Sequence, residues 1–146
     1  MAASGAVEVE LVAWAACSSE LRAIRHEVFV REQNVPEALE DDGLDPECLH
    51  ALARDAEGRA IGTGRLMPDG RIGRMAVLAR YRGRGVGAAL LEVLVGAAKA
   101  RGAREVHLHA QAHAQAFYFR HGFRVEGEPY DEAGIPHVSM RARFDA

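Results

Sequence analysis

The chain has 146 residues, of which 49% are apolar and 27% are charged, and its formal net charge is −3 at pH 7. A chain of this length suits one domain, and we expect a single domain that spans residues 1–146. The slightly negative charge excludes a general attraction to nucleic acid or to an anionic membrane, so any cationic function must be local. No stretch is typical of a secretory signal or of a transmembrane helix, and we therefore expect a cytoplasmic protein that binds neither membrane nor nucleic acid.

The cysteine content indicates a reduced setting. Cys17 and Cys48 are the two cysteines, which is too few for a disulfide framework. No Cys/His spacing is typical of a zinc site, so we expect no bound metal.

The beginning of the chain predicts a strand followed by a helix. Residues Val7–Trp14 alternate apolar and charged side chains, which is the pattern of a half-buried strand. Ser18 or Ser19 can cap a helix whose apolar residues recur at helical spacing, and the proline of Asn34–Pro36 ends it. The acidic stretch Glu37–Glu47 predicts a loop or a short helix.

The middle of the chain predicts three strands and a helix. Residues 50–78 form three apolar runs, because turn-forming residues separate them at Glu57-Gly58 and at Pro68-Asp69-Gly70. A helix with one apolar face follows at about residues 84–100, and Gly102 lies just past its end.

The last third predicts a strand at 104–111, a helix at 113–122 and two closing strands at 123–130 and 137–144. The resulting order is β-α-(α)-β-β-β-α-β-α-β-β. It predicts a mixed α/β (α+β) fold, in which about four helices flank a mostly antiparallel central sheet of about six to seven strands.

The segment Ala79–Leu91, ARYRGRGVGAALL, alternates arginines and glycines directly before the predicted central helix. The first N–H groups of a helix have no partner inside it, and the helix dipole adds a partial positive charge there. Glycines allow an anion to approach the main chain closely, and the arginines add positive charge. The segment therefore predicts a binding site for a phosphate-bearing ligand.

Three kinds of phosphate site are compatible with a glycine-rich loop before a helix. A P-loop needs Lys-Ser or Lys-Thr, and neither pair occurs in the chain. A dinucleotide fingerprint matches Gly83-x-Gly85-x-x-Ala88 only weakly, because His109 and Gln111 occupy the region where an acidic residue is expected. Arg80-x-x-Gly83-x-Gly85 matches Q/R-x-x-G-x-G/A, the pyrophosphate loop of acyl-CoA-dependent N-acetyltransferases.

Longer stretches resemble the same enzymes. Ile72–Leu78, IGRMAVL, looks like the fourth strand of the family, whose main chain pairs with the pantetheine arm as an added strand would. Gln111–Phe123 resembles the pattern N-x-x-A-x-x-F/L-Y-x-x-x-G-F, with Gln111 where asparagine is commoner. Val28–Pro36 and Glu132–Met140 further resemble the small bacterial ElaA-like branch. The chain thus resembles a GNAT-superfamily N-acetyltransferase over nearly its whole length.

The resemblance implies acetyl-CoA as the co-substrate and direct acetyl transfer to a primary amine of a small molecule or peptide. It implies that Tyr118 is the general acid for the departing thiolate and that the main-chain N–H of Val77 binds the thioester carbonyl. The residues that it implies for acetyl-CoA binding are Met75, Ala76, Val77, Arg82, Gly83, Arg84, Gly85, Val86, Gly87, Gln111 and Tyr118.

The general base is left open. His107 and His109 lie on one face of a predicted strand, and an imidazole titrates near neutral pH. Glu32, Asp42 and His50 are alternatives, as is a reaction in which water removes the proton.

The acceptor site is open as well. The acidic stretch either attracts a cationic amine or is a solvated loop; its acidic residues are Glu37, Glu40, Asp41, Asp42, Asp45 and Glu47. Arg31, Arg65 and Arg74 are candidates for contact with an anionic part of the acceptor.

Two other functions are compatible with a loop of this kind. One is an acyl-CoA-binding sensor with little or no turnover, and the other is a nucleotide-dependent oxidoreductase. Small enzymes of the family often dimerise, so a homodimer is a further expectation without a decisive pattern in the sequence.

Overall fold

The structure is a computed structural model, and it describes residues 6–144. Its strands are β1 (Glu8–Val12), β2 (Leu49–Arg54), β3 (Ala60–Leu66), β4 (Ile72–Val77), β5 (Glu105–Gln111), β6 (Arg124–Glu132) and β7 (Ile135–Arg143). Its α-helices are α1 (Trp14–Arg25), α2 (Glu37–Glu40), α3 (Val86–Ala100) and α4 (Gln115–Arg120). Within residues 6–144, these seven strands and four helices confirm the predicted mixed α/β fold class.

A π-helical segment continues α1 over His26–Glu32 and ends before Asn34–Pro36, as the proline predicts. Short 3₁₀ turns lie at Asp45–Glu47, Ala79–Tyr81 and Ala112–Ala114. None of the helices in the described residues is long and apolar enough to cross a membrane.

The strands form two antiparallel sheets, one in the order β1-β2-β3-β4 and the other in the order β5-β7-β6. Between β4 and β5 the chain makes one isolated parallel bridge, from Arg71 to His107, where the N–H of His107 donates to the carbonyl of Gly70 at 3.1 Å. The predicted antiparallel sheet is therefore divided, and a gap opens between β4 and β5.

A bulge in β4 lies beside this gap. Thr63 pairs with Ala76 and Arg65 with Gly73, so that Arg74 and Met75 of β4 lie opposite Gly64 alone. Arg74 has a left-handed φ of 51°. A bulge bends its strand and increases its twist, which agrees with the loss of pairing with β5 after the bridge at Arg71, just before β4.

The core lies on both faces of the first sheet. On one face, α3 buries Leu90, Leu91 and Leu94, and each fully buried leucine contributes about 1.5–3 kcal/mol relative to an exposed one. On the other face, α1 and its continuation bury the side chains of Leu21, Ile24 and Val28 against Leu52 and Ala76. These two layers fix β3 and β4, and hence one wall of the gap.

Two helices start at other residues than predicted. α1 begins at Trp14, which ends β1 early, and Cys17 inside it has φ −131° and ψ 19°. The start predicted at Ser18 or Ser19 coincides with this kink at Cys17, after which the second helical segment of α1 begins, and a first segment from Trp14 precedes it. α3 begins at Val86 and not at about residue 84, since Gly85 has a left-handed φ of 83°.

Smaller differences occur towards the end of the chain. The helix predicted at 113–122 is shorter, because a 3₁₀ turn precedes α4 and Gly122, with φ 94°, follows it. The last two strands extend towards each other as far as Glu132 and Ile135. They form a hairpin through Ala133 and Gly134, both of which have positive φ, as tight hairpin turns require.

Candidate active site

A cleft of about 840 Å³ occupies the gap between β4 and β5. The end of the π-helical segment, α4 and the β6–β7 hairpin also contribute side chains to its lining. Several residues that the sequence predicts for catalysis or acetyl-CoA binding line it, namely Met75, Ala76, Val77, Arg82, Gly87, His109, Gln111 and Tyr118. Gly83, Arg84 and Gly85 are exposed between Arg82 and Gly87, while Val86 is buried in the core.

The loop before α3, residues 82–87, has the backbone that an anion site needs. Gly83 and Gly85 have φ of 77° and 83°, a conformation that favours glycine. The carbonyl of Gly85 accepts from Ala89 at 3.0 Å, whereas the N–H groups of residues 83–88 make no hydrogen bond within residues 6–144. These free donors and the positive end of the α3 dipole are suited to a phosphate or pyrophosphate.

Arg82 makes contacts that the sequence did not predict. Its Nη1 and Nη2 donate to the Glu32 carboxylate at 2.6 and 2.7 Å, and its Nε donates to the Val77 carbonyl at 2.9 Å. The hydrogen bond from Arg82 lowers the pKa of Glu32 below its usual range. Glu32 is therefore a poor candidate for the general base. Arg84 instead lies with its guanidinium carbon 5.8 Å from the ring centroid of Tyr81.

The edge of β4 that faces the cleft offers main-chain groups. The N–H of Leu78 donates to the Ile61 carbonyl of β3 at 2.9 Å. Because N–H groups of successive strand residues point to opposite edges, the N–H of Val77 points away from β3 and towards the gap. This orientation is the one that a donor to a thioester carbonyl needs.

Tyr118 lies on α4 with 8% of its surface exposed, and it lines the cleft. Its ring packs edge-on against Phe117 and Phe123, at centroid distances of 5.0 and 5.8 Å. Its hydroxyl has no hydrogen-bond partner within the part of the chain that the structure describes. Burial raises the pKa of Tyr118 to about 12, which keeps the phenol protonated at neutral pH.

His109 of β5 also lines the cleft, and a tyrosine contacts its ring. Nδ1 of His109 is hydrogen-bonded to the hydroxyl of Tyr130 and lies 3.5 Å from the Ser139 hydroxyl. Partial burial and then the charge of Arg71 lower the pKa of His109 below its ordinary value of 6.5. His109 is therefore largely neutral at pH 7, and a neutral imidazole has one ring nitrogen that can accept a proton. His107 does not line the cleft.

Two other candidate bases are excluded by their positions. His50 is 1% exposed, its Nε2 lies 2.9 Å from the Asp45 carbonyl, and it does not line the cleft. Asp42 accepts from Nη1 of Arg65 at 3.0 Å, and this interaction holds the pKa of Asp42 far below its usual range. Neither group is available to remove a proton from an amine.

Asp45 of the acidic stretch forms a buried ion cluster with two arginines. Arg25 and Arg65 donate to Oδ1 of Asp45 at 2.7 and 3.0 Å, and all three residues are no more than 2% exposed. Arg74 binds the Glu40 carbonyl at 3.0 Å and lies 3.3 Å from Asp42. Within the stretch Asp45 is buried in this cluster, whereas Glu37, Asp41 and Glu47 are exposed, and Arg65 and Arg74 are already paired.

Three exposed residues that the sequence offers for the acceptor site are paired as well. Asp41 lies 3.3 Å from Arg22, and Arg31 lies 3.4 Å from Glu27. Glu37 lies 3.0 Å from His26.

Gln111 makes a reciprocal amide pair that the sequence did not predict. Its Nε2 donates to Oε1 of Gln33 at 2.8 Å, and Nε2 of Gln33 donates to Oε1 of Gln111 at 3.1 Å. The pair joins the end of β5 to the residue that follows the π-helical segment. Within residues 6–144, no group of three or more His, Cys, Asp or Glu side chains is placed to hold a metal ion.

A divided antiparallel sheet, with a phosphate-type loop and a buried tyrosine at the division, defines an acyl-CoA-dependent acyltransferase. Residues 11–144 match the family model described as the acetyltransferase (GNAT) domain, and the chain belongs to this family. Enzymes with this fold use an acyl-CoA as co-substrate. The resemblance inferred from the motifs is thereby confirmed.

Individual relatives agree with the family assignment. The chain is 43% identical over 121 residues to YjcF of Bacillus subtilis, an uncharacterized N-acetyltransferase, with 80% of this chain and 86% of YjcF covered. An acyl-CoA N-acyltransferase from Pseudomonas aeruginosa is 35% identical, with a TM-score of 0.82 and coverage of 94% and 99% of the two chains. ElaA of Escherichia coli is 30% identical, with a TM-score of 0.83 and coverage of 94% and 100%.

Proposed function

We propose that the protein transfers the acetyl group of acetyl-CoA directly to a primary amine of a small molecule or peptide. The observation that carries the proposal is that a single cleft combines two features. Free main-chain N–H donors lie before α3, and the buried, protonated Tyr118 lines the same cleft. The N–H donors can bind the phosphates of CoA, and the Tyr118 phenol can protonate the departing thiolate of CoA.

The free N–H groups of residues 83–88 would hold the pyrophosphate, with the dipole of α3 behind them. The unpaired edge of β4 at Met75 and Val77 would pair with the pantetheine amides in the manner of an added strand. Arg82 and Arg84 would contribute positive charge beside the pyrophosphate. The amide of Gln111 would give up its hydrogen bonds to Gln33 and bind the pantetheine instead. Every residue of β4 lines the cleft, as do Arg82 and Gly87 beyond it, which agrees with an extended ligand.

The amine nitrogen forms a bond to the thioester carbonyl carbon, and the bond from this carbon to sulfur breaks. The N–H of Val77 stabilises the negative charge on the carbonyl oxygen. Tyr118 gives its proton to the departing thiolate and regains one from solvent. The acceptor ammonium loses one proton to become the neutral nucleophile, and its nitrogen loses a second after the attack. His109 accepts a proton from this nitrogen and passes it to water, and the other proton also reaches solvent.

The test is an acceptor screen that follows CoA release from acetyl-CoA and confirms the acetylated product by mass spectrometry. Amine-dependent release at rates well above the uncatalysed reaction is the expected result. An acyl-CoA sensor would be stabilised by acetyl-CoA in thermal unfolding without releasing CoA to any amine. An oxidoreductase would be stabilised by NAD(P) and not by acetyl-CoA.

A further inference from the structure

Most charged side chains that line the cleft are paired with each other or with neighbours. Glu32 binds Arg82 in a bidentate ion pair. Glu40 lies 3.3 Å from Arg74 and 2.7 Å from Arg25. In each of these pairs a protein side chain already neutralises the charge, so none of them offers an unpaired charge to the acceptor amine.

Arg71 and Glu132 differ from these residues because their charges are unpaired. Both line the cleft, and within residues 6–144 neither side chain makes a hydrogen bond or an ion pair. The cleft therefore presents one guanidinium and one carboxylate, of opposite sign, that no protein group neutralises.

Both charges lie at the same end of the cleft. Arg71 immediately precedes β4 and bridges to His107 in parallel, so that Gly73 lies across the gap from His109 two residues further on. Glu132 ends β6 two residues after Tyr130, on the same face of the strand, and the hydroxyl of Tyr130 is hydrogen-bonded to Nδ1 of His109. The phosphate-type loop follows the other end of β4, so Arg71, Glu132 and His109 mark the acceptor end.

We propose that the acceptor is a zwitterionic amine, an amino acid or short peptide whose carboxylate binds Arg71 while its ammonium group is drawn to Glu132. This inference rests on the proposed acetyl transfer. It narrows the acceptor from any primary amine to one that carries its own carboxylate close to the reacting nitrogen.

The physics of the two groups favours this class of acceptor. A guanidinium binds a carboxylate through two parallel hydrogen bonds, which fixes the orientation of the ligand as well as attracting it. The partly enclosed cleft lowers the effective dielectric, so the attraction is stronger than at an open surface. A polyamine would instead place a second positive charge against Arg71, which disfavours it.

The experiment compares matched acceptors with one scaffold. Each α-amino acid of a panel is assayed beside its carboxamide and its decarboxylated amine, with polyamines included, and CoA release gives kcat and KM. We expect kcat/KM for the free acid to exceed that for the carboxamide by about 10- to 100-fold, as for loss of a hydrogen bond between charged groups.

Variants then test which residue causes the preference for the free acid. At a pH where His109 is neutral in both proteins, Arg71→Ala is expected to lower kcat/KM for the acids by a similar factor relative to the carboxamides, mainly through KM. Arg71→Lys should recover part of the loss, and Glu132→Gln should raise KM for acids and carboxamides alike. Arg143→Ala is the matched control, since Arg143 is exposed and lies outside the cleft. Calorimetric titration of the acid into CoA-saturated protein gives a readout independent of turnover.

The outcomes separate the two proposals. Efficient acetylation of carboxamides, simple amines or polyamines, with no effect of Arg71→Ala, overturns the zwitterionic acceptor and leaves acetyl transfer standing. Absence of CoA release with every amine, free acids included, overturns the acetyl transfer and with it the acceptor.

Discussion

Glu32 and Arg82 form a bidentate ion pair, with Nη1 of Arg82 2.6 Å from Oε2 of Glu32 and Nη2 2.7 Å from Oε1. The pair joins the end of the π-helical segment to the loop before α3, on which the proposed phosphate site lies. The two side chains are 41% and 39% exposed, so solvent weakens the pair. Arg82 can therefore exchange Glu32 for a phosphate at little cost.

Removal of the competing carboxylate should tighten acetyl-CoA binding. We expect Glu32→Gln to lower the Kd for acetyl-CoA by up to about fivefold, because exposed ion pairs contribute about 0.2–1 kcal/mol. Arg82→Gln should raise the Kd, and isothermal titration measures both. Glu27→Gln, which removes a surface carboxylate paired with Arg31, serves as the control. Weaker acetyl-CoA binding by Glu32→Gln would show that the pair is needed to hold Arg82 in place.

The buried ion cluster should be important for stability. We expect Asp45→Ala to lower the free energy of unfolding by about 3–5 kcal/mol, because it leaves the guanidinium groups of Arg25 and Arg65 without a shared buried partner. Asp41→Ala removes an exposed pair with Arg22 and should cost less than about 1 kcal/mol. Urea unfolding compares the two variants, and equal losses would contradict a structural role for the cluster.

The pH dependence of kcat/KM should report His109. A base must be neutral, so activity falls as pH drops through its pKa, and the lowered pKa of His109 places this fall below pH 6.5. Arg71→Ala removes a positive charge that lowers this pKa, so the fall should move to higher pH. His109→Gln should abolish this fall of kcat/KM at low pH. A profile that is unchanged in His109→Gln would assign the proton to water or to another group.

The parts of the site that could be predicted from the sequence depend on short runs of residues. The glycine-rich loop and Tyr118 are examples, since each belongs to a local pattern whose residues fold together. The turns between β2, β3 and β4 are also local, and the structure has them where glycine and proline predict them.

The remaining features depend on contacts between distant residues. Glu32 and Arg82 are 50 residues apart, and Gln33 and Gln111 are 78 apart, so no local pattern indicates either pair. The burial of Asp45 was equally hidden, because an acidic run is typical of a solvated surface and its arginine partners come from α1 and β3.

The proposed acetyl transfer depends most directly on Tyr118. The decisive measurement is kcat for acceptor-dependent CoA release at saturating acetyl-CoA, in the native protein and in Tyr118→Phe. We predict that kcat falls by about 10²- to 10⁴-fold, the usual loss of a general acid, while the KM for acetyl-CoA stays nearly unchanged. Phe119→Ala, which alters an exposed neighbour outside the cleft, should retain kcat. An equal kcat in the native protein and Tyr118→Phe would contradict the proposed role of Tyr118.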